Sequence, residues 1–286
     1  MVKTDADLFN QGLDIKQRDM EVSHRLMQHF GFEHYVVFGA GKPAILERIN
    51  AIFRSFYRPQ DLASGGHIGV FMCRDIFARI GIPVIFGSPK LDPFRYVELT
   101  PAQCLTIQQE PQELAIFMDQ FTDVADIQYG ISDLKRAFHG LELVGRFIGL
   151  SRLQLHAAAA ILTGGYDFRG AVQCALLATE LSLKAGAAGQ GLTEPQIKTQ
   201  FGHNLKALVD ALNVAWPAFD ADRVRRVITQ QPSYVPNRYS AEQPARRVVG
   251  HTVMGAQYIA SEVVRQLSDT HVRRAFNPPF SRHYPA

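Results

Sequence analysis

The sequence is poor in cysteine and has no long apolar run. Its three cysteines, Cys73, Cys104 and Cys174, lie far apart among 286 residues and form no Cys-x-x-Cys pair. So small and odd a set excludes a disulfide framework and does not supply a zinc site. Charged or polar residues interrupt every apolar stretch before the roughly 20 residues that a membrane helix requires. The first residues also lack the basic-then-apolar order of a signal peptide, so we expect a cytoplasmic protein that does not enter a membrane.

Motifs of the common hydrolases and nucleotide-binding enzymes are also missing. The chain has no His-Glu-x-x-His, no Gly-x-Ser-x-Gly and no closely spaced His/Asp/Cys set suited to a metal. Residues 39–43 follow a short apolar run as a phosphate loop does, but Val36 and Pro43 stand where that loop needs glycine and a hydroxyl residue. The paired aspartates of a nucleotidyltransferase are missing after this turn. We therefore predict a structural turn here, and a protein with no metal and no cofactor.

Composition and charge favour a packed protein with one basic half. Hydrophobic residues make up 47% of the chain and charged residues 20%, which supplies a core and excludes general disorder. Residues 1–135 carry 13 basic and 17 acidic side chains, whereas residues 136–286 carry 17 and 10. An anionic partner would therefore meet the second half of the chain.

Apolar periodicity predicts a mainly α protein whose second half is an up-down helical bundle. Small and apolar residues recur at helical spacing, and glycines separate the runs. The predicted helices of this half are 141–162 with a break near 149–151, 171–185, one beginning at 203, 220–230 capped by Asp220, and 241–267. Alanines in the second of these helices allow close packing against the first. The bundle is expected to span residues 133–270 and to be followed by an extended tail at 271–286.

The first 132 residues mix short apolar runs with helical patterns, which predicts an α+β domain. The predicted strands are 34–38, 67–71, 82–87 and 96–99, and the predicted helices are 4–30, 43–57, 74–80 and 113–121. No motif in this domain discloses its role.

Four short segments of the second half resemble the HEPN family of small helical-bundle domains. They are Gly-Gly-Tyr at 164–166, Ala-Thr-Glu-Leu-Ser-Leu-Lys-Ala at 178–185, Gly-His-Asn-Leu at 202–205 and Tyr-Val-Pro-Asn-Arg-Tyr at 234–239. Taken in this order and at this spacing, the four segments extend the resemblance over residues 140–268. Asn204 stands where the family often has Asp. The resemblance implies a HEPN-like bundle that forms a homodimer and binds a nucleotide or RNA.

Nuclease members of that family carry an Arg followed by a nearby His, and Arg246 and His251 match this pattern with four residues between them. Arg can hold a phosphate and His can move a proton, so the pair would cleave RNA without a metal through the 2′-hydroxyl. Positions 246 and 251 are about 140° apart on a regular helix, whereas Arg247 and His251 are aligned at i and i+4. The Gly-His-Asx-Leu branch of the family also generally binds without cutting.

We therefore predict a nucleotide- or nucleic-acid-binding protein without catalysis. The alternatives are a metal-independent ribonuclease of the toxin or defence type, and a protein-interaction scaffold. The predicted ligand-binding residues are His203, Asn204, Arg238, Tyr239 and Arg247. Each has a structural alternative as well. Asn204 or Thr199 would cap a helix, and Glu180 in its apolar helix would need Arg238 or Lys184 as a buried partner.

Overall fold

The computed structural model describes residues 1–36, 41–57, 59–62, 66–84, 91–134, 141–165, 167–233, 239, 242, 244–275 and 281–285. It divides into two compact units, Met1–Gly65 and Gly66–Ala286. Each unit is described by itself. As predicted, the chain is mainly α-helical, with one small sheet in the described residues.

In the described residues of the first unit, all regular secondary structure is helical. This unit contains α1 (Val2–Asn10), α2 (Ile15–His29), α3 (Ala44–Ser55) and α4 (Pro59–Leu62). The single helix predicted at 4–30 is wrong, because Gly12 has a φ of 86° and ends the first segment. Asp14 then caps α2 by accepting hydrogen bonds from Lys16 N and Gln17 N. Residues 34–36 form no strand, and the rest of the strand predicted there lies outside the described residues.

The sheet of the second unit is the antiparallel hairpin of β1 (His67–Cys73) and β2 (Ile76–Ile82). The helix predicted at 74–80 is therefore wrong. Arg74 takes a left-handed φ of 57°, which closes the turn, and Ala78, Ile80 and Ile82 alternate into one core cluster. The strand predicted at 96–99 reduces to an isolated bridge from Val97 to Ile80. Of the strand predicted at 82–87, the structure describes residues 82–84, and of these Ile82 alone lies in a strand, at the end of β2.

Helices account for most of the second unit. They are α5 (Pro101–Gln109), α6 (Pro111–Ser132), α7 (Leu141–Gly164), α8 (Arg169–Gly189), α9 (Glu194–Gln200), α10 (Leu205–Ala215), α11 (Ala221–Gln230) and α12 (Arg246–Leu267). The break predicted near 149–151 does not occur. Ser151 lies inside α7, where its hydroxyl donates to Ala178 O and lies 2.7 Å from Ser182 Oγ of α8. Asp220 caps α11 as predicted, accepting from Arg223 N.

Two glutamines attach β1 to the helices. Gln257 of α12 accepts from Val70 N at 2.8 Å and donates to Val70 O at 2.9 Å. Gln120 of α6 accepts from Met72 N at 2.8 Å and donates to Met72 O at 3.0 Å. Each side-chain amide thus satisfies both backbone groups of a strand residue, as a third strand would do. The hairpin and the two helices therefore belong to one packed unit.

The two domains were expected to meet after residue 132, whereas the two compact units meet between Gly65 and Gly66. Helix α6 precedes the expected boundary, yet it packs on α12 and on β1 within the second unit. The described residues of the segment expected as an extended tail, 271–286, contact the rest of the second unit. Val272–Ala275 forms a short 3₁₀ helix, and residues 281–285 are bound to α6 and α12. None of the helices in the described parts combines the length and apolar character that crossing a bilayer requires.

Candidate functional site

The start of α12 presents two adjacent arginines. Arg246 and Arg247 occupy the first turn, which contains no acidic residue, and the preceding Ala245 has no side chain able to cap the helix. The N-terminal end of a helix carries a partial positive charge and backbone N–H groups that suit an anion. Both arginines are exposed. This turn therefore concentrates positive charge on the surface.

Arg246 is held by the hairpin and by the start of α8. Its guanidinium carbon lies 4.6 Å from the ring centre of Phe77 and 4.8 Å from that of Phe168. Its Nε donates a hydrogen bond to the carbonyl oxygen of Asp75 in the hairpin turn. Gly250 permits this arrangement, because a Cβ there would lie 2.3 Å from the sulfur of Met72. Close contact between α12 and the hairpin thus fixes Arg246.

His251 is half-buried, and both of its ring nitrogens have partners. Arg247 Nε donates to His251 Nε2 at 3.4 Å, and His251 Nδ1 lies 3.2 Å from the hydroxyl oxygen of Tyr284. Because Nε2 accepts, Nδ1 carries the proton and donates to Tyr284. The two rings are nearly parallel, at 21° with 6.1 Å between centres. Burial and then the charge of Arg247 lower the pKa of His251, so the ring is neutral near pH 7.

The sequence-predicted pair of Arg246 and His251 is not joined by a hydrogen bond in the described structure. Arg246 contacts Phe77, Phe168 and Asp75, whereas His251 contacts Arg247 and Tyr284. The i, i+4 contact between Arg247 and His251 is present, as the helical spacing indicated.

The predicted His203 region has mainly structural contacts. Asn204 Oδ1 accepts from Ala207 N at 3.1 Å and caps α10, and Thr193 caps α9. His203 is 88% exposed, with Nδ1 3.0 Å from Glu180, whose carboxylate also accepts from Lys184 at 2.6 Å. Lys184 is therefore a partner of Glu180, as one of the alternatives from the sequence proposed.

Of the two other predicted binding residues near this region, Tyr239 is 77% exposed. Arg238, Tyr166 and most of the segment 234–239 lie outside the described residues.

Three buried aspartates of α6 form a cluster that the sequence analysis missed. Asp119, Asp123 and Asp126 are at most 2% exposed and lie at i, i+4 and i+7, on one face of the helix. Arg265 of α12 donates to Asp123 at 3.1 Å and to Asp126 at 2.8 Å. The same guanidinium donates to Glu262 at 2.6 Å. The spacing of the aspartates in an apolar helix was the available signal.

The C-terminal strap, residues 281–285, binds to the same carboxylates. Arg282 donates to both oxygens of Asp123, and Asp119 Oδ2 accepts from His283 N at 2.6 Å and Tyr284 N at 2.7 Å. Burial acts to raise the pKa of Asp123, but Arg282 and Arg265 outweigh it and lower the pKa. This carboxylate is therefore ionised at neutral pH. The strap consequently connects the acidic face of α6 to His251.

A second histidine pair lies at the beginning of β1. His67 is fully buried, and its Nδ1 is 2.9 Å from Nε2 of His156, which also accepts from Ile68 N at 3.1 Å. Burial lowers the pKa of His67 well below its ordinary value, with His156 and Arg152 adding to the effect. Burial and then Arg152 lower the pKa of His156 to about 4. Both rings are neutral at pH 7.

A thiol that lines a cavity of the second unit is not activated. Cys73 lies beside a cavity of 240 Å³ between the hairpin turn and α5, and its Sγ donates to Glu113 at 3.5 Å. Burial, followed by the neighbouring charge of Glu113, raises the pKa of Cys73 to about 11. The thiol therefore stays protonated, which does not suit a nucleophile.

Comparison of the chain with family models, curated proteins and solved structures finds no match. Within the described residues, no group of three or more His, Cys, Asp or Glu side chains is placed to hold a metal ion. The resemblance to HEPN domains accordingly stays a prediction from the sequence.

Proposed function

We propose that this protein binds RNA or a nucleotide at the start of α12 and performs no chemistry on it. The observation that carries the proposal is the arrangement around His251, where Arg247 occupies Nε2 and Tyr284 occupies Nδ1. A general base needs a free nitrogen lone pair, and a general acid needs a protonated ring. The hydrogen bond from Arg247 engages the lone pair, and the low pKa depletes the protonated form. This geometry supports binding over cleavage.

Phosphate is the group that this surface suits best. Arg246 and Arg247 provide exposed guanidinium groups in the first turn of a 22-residue helix. Guanidinium groups bind phosphate oxygens by paired hydrogen bonds, and the helix terminus adds its dipole. Phe77 and Phe168 restrict the motion of Arg246, so less side-chain entropy is lost when an anion binds.

The competing function is a metal-independent ribonuclease. The contact between Arg247 and His251 favours it, since this pair places a phosphate-binding group beside a neutral imidazole. In the binding proposal, Arg247 keeps its Nε on His251 and binds phosphate through its terminal nitrogens. For cleavage, phosphate binding would also have to break this hydrogen bond and release Nε2 to take the proton of a 2′-hydroxyl. If the protein binds neither RNA nor a nucleotide, a protein-interaction scaffold is the function that we would propose instead.

One assay separates these functions. A mixed RNA pool in EDTA would be incubated with the wild type, with an Arg246→Ala/His251→Ala double variant, and with Lys206→Ala as an exposed charge control. We expect intact RNA in every sample and retention of RNA by the wild type and the control. Cutting by the wild type and the control, but not by the double variant, would establish the ribonuclease.

We also propose a homodimer, which rests on the family resemblance alone. The alanines of α8 and most of α12 offer no apolar surface for it, because they are buried within the second unit. Light scattering at micromolar concentration tests this proposal, and a monomeric mass would reject it.

A further inference from the structure

The C-terminal strap is attached by buried ion pairs and by packing, because Tyr284 lies against an apolar core cluster and Pro285 is buried. Arg282 forms a two-point ion pair with Asp123, and the backbone N–H groups of His283 and Tyr284 both donate to Asp119. Arg273, which precedes the strap, pairs with Asp119 as well. Ser281 and His283 are exposed. Removing one partner of such a buried charge pair weakens its attachment, so a single substitution can test how the strap is held.

The strap ends on the candidate site. Tyr284 places its hydroxyl oxygen 3.2 Å from His251 Nδ1 and its ring nearly parallel to the imidazole. Proteins that bind single-stranded RNA stack its bases on aromatic side chains, including histidine. Tyr284 therefore occupies the Nδ1 edge of His251, and a nucleobase that stacked on this ring while a phosphate bound Arg247 would compete with Tyr284 for the same imidazole.

We propose that the C-terminal strap is an autoinhibitory segment, and that RNA binds the start of α12 in competition with Tyr284. This inference rests on the proposed function, because it names a regulator of the same site. The strap docked on α6 is the closed state, and its release exposes His251. The measured dissociation constant then equals the intrinsic constant divided by the fraction of molecules in which the strap is released.

Arg282→Gln removes the charge that binds the strap to Asp123. Asp123 keeps Arg265 and the hydroxyl of Ser261 as partners when Arg282 is removed. The matched control is Arg274→Gln, which removes the same charge from an exposed position outside the strap. Loss of a positive charge by itself weakens RNA binding. Tighter binding by Arg282→Gln would therefore oppose the general electrostatic effect.

The experiment has two readouts. RNA affinity is measured with a mixed-sequence oligonucleotide, and the exposure of His251 is measured by its rate of modification with diethyl pyrocarbonate, read by peptide mass spectrometry. His203, which is 88% exposed, serves as the internal reference for reagent reactivity. We expect Arg282→Gln to bind RNA at least about threefold more tightly than the wild type and to react faster at His251. Arg274→Gln should show neither change.

The outcomes distinguish this inference from the function on which it rests. Unchanged reactivity of His251 in Arg282→Gln would show that the strap does not cover the site. Faster reactivity with unchanged or weaker RNA binding would refute the competition. If neither the wild type nor any variant binds RNA, the proposed function fails together with the competition, while His251 reactivity still decides whether the strap covers the ring. If Arg282→Gln does not fold, Tyr284→Ala removes the ring from His251 and makes the same predictions.

Discussion

Tyr284 and His251 are 33 residues apart in the chain, and the hydroxyl of the first accepts a hydrogen bond from Nδ1 of the second. The tautomer is fixed at the other nitrogen, because Arg247 Nε can only donate and Nε2 must therefore accept, which leaves the proton on Nδ1. His251 therefore acts here as part of a surface that holds Arg247 in place. The account of a binding site without catalysis depends on this arrangement.

Arg247→Gln should raise the pKa of His251. Burial is the main cause of the lowered value and the charge of Arg247 is the second, so removing that charge takes away one of the two effects. The pKa is followed by NMR titration of the imidazole. Lys206→Gln, at an exposed position on α10, is the control for a change of net charge. An unchanged His251 pKa in Arg247→Gln would mean that the two side chains do not interact in solution.

Gly250→Ala should destabilise the protein by about 1–3 kcal/mol, the usual cost of overpacking a close contact. The added Cβ would lie 2.3 Å from Met72 Sδ and 2.7 Å from Phe77 Cε1. Gly145→Ala in α7 is the matched control, because nothing lies within 4 Å of its added Cβ. The control should gain up to about 1 kcal/mol from helix propensity. Denaturant unfolding measures both, and equal effects would contradict the packing of α12 on the hairpin.

Asp123→Asn should cost about 3–5 kcal/mol of unfolding free energy, because it removes the carboxylate that binds the buried guanidinium of Arg282. Arg265 loses one of its three carboxylate partners and keeps Asp126 and Glu262. Arg265 and Arg282 both bind Asp123, and all three side chains are nearly inaccessible. Asp210→Asn breaks an exposed ion pair with Arg225 and should cost less than about 1 kcal/mol. Chemical denaturation of the two variants gives the comparison. Similar losses would show that the α6 carboxylates are as well hydrated as a surface pair.

His156→Gln should reduce the loss of stability in mild acid. The folded pKa of His156 is lowered to about 4, so the unfolded chain takes up the proton first. Its contribution to stability is present above the unfolded pKa of about 6.5 and is lost as the pH falls towards the folded value. The wild type should therefore lose more unfolding free energy between pH 7 and pH 5 than the variant. Asp126 acts in the opposite sense, because burial raises its pKa to about 6, but it is common to both proteins.

The control for His156→Gln is His203→Gln, which replaces an exposed histidine. Denaturant titrations at the two pH values provide the free energies. If the difference between wild type and His156→Gln is the same at pH 7 and pH 5, the buried histidine pair does not govern the acid response.

Helical periodicity predicted most of the second unit, but tertiary contacts decided several details. Residues 74–80 fit helical spacing through Ile76 and Ile80, and they equally fit strand alternation through Ala78, Ile80 and Ile82. Packing against α6 and the side-chain amide of Gln120 on β1 favoured the strand. The division of the chain was misplaced for the same reason, since long-range contacts of α6 join it to α12.

The candidate site was predictable only where its contacts are local. The Arg247–His251 contact and the Asn204 cap follow from spacings of four and three residues, which sequence patterns represent directly. Tyr284 reaches His251 from the end of the chain, and no local pattern indicates such a contact. The aspartates of α6 were overlooked because charged residues are ordinarily exposed, whereas these are buried by arginines distant in sequence.

The salt dependence of RNA binding is the most direct test of the central claim. Affinity for a mixed-sequence RNA would be measured in EDTA at several salt concentrations for the wild type, Arg247→Gln and Lys206→Gln, with RNA integrity checked after each titration. The account predicts intact RNA, weaker binding by Arg247→Gln and a salt slope reduced by about one phosphate contact relative to wild type and Lys206→Gln. Equal affinity and slope for all three proteins, or RNA cut by the wild type, would contradict it.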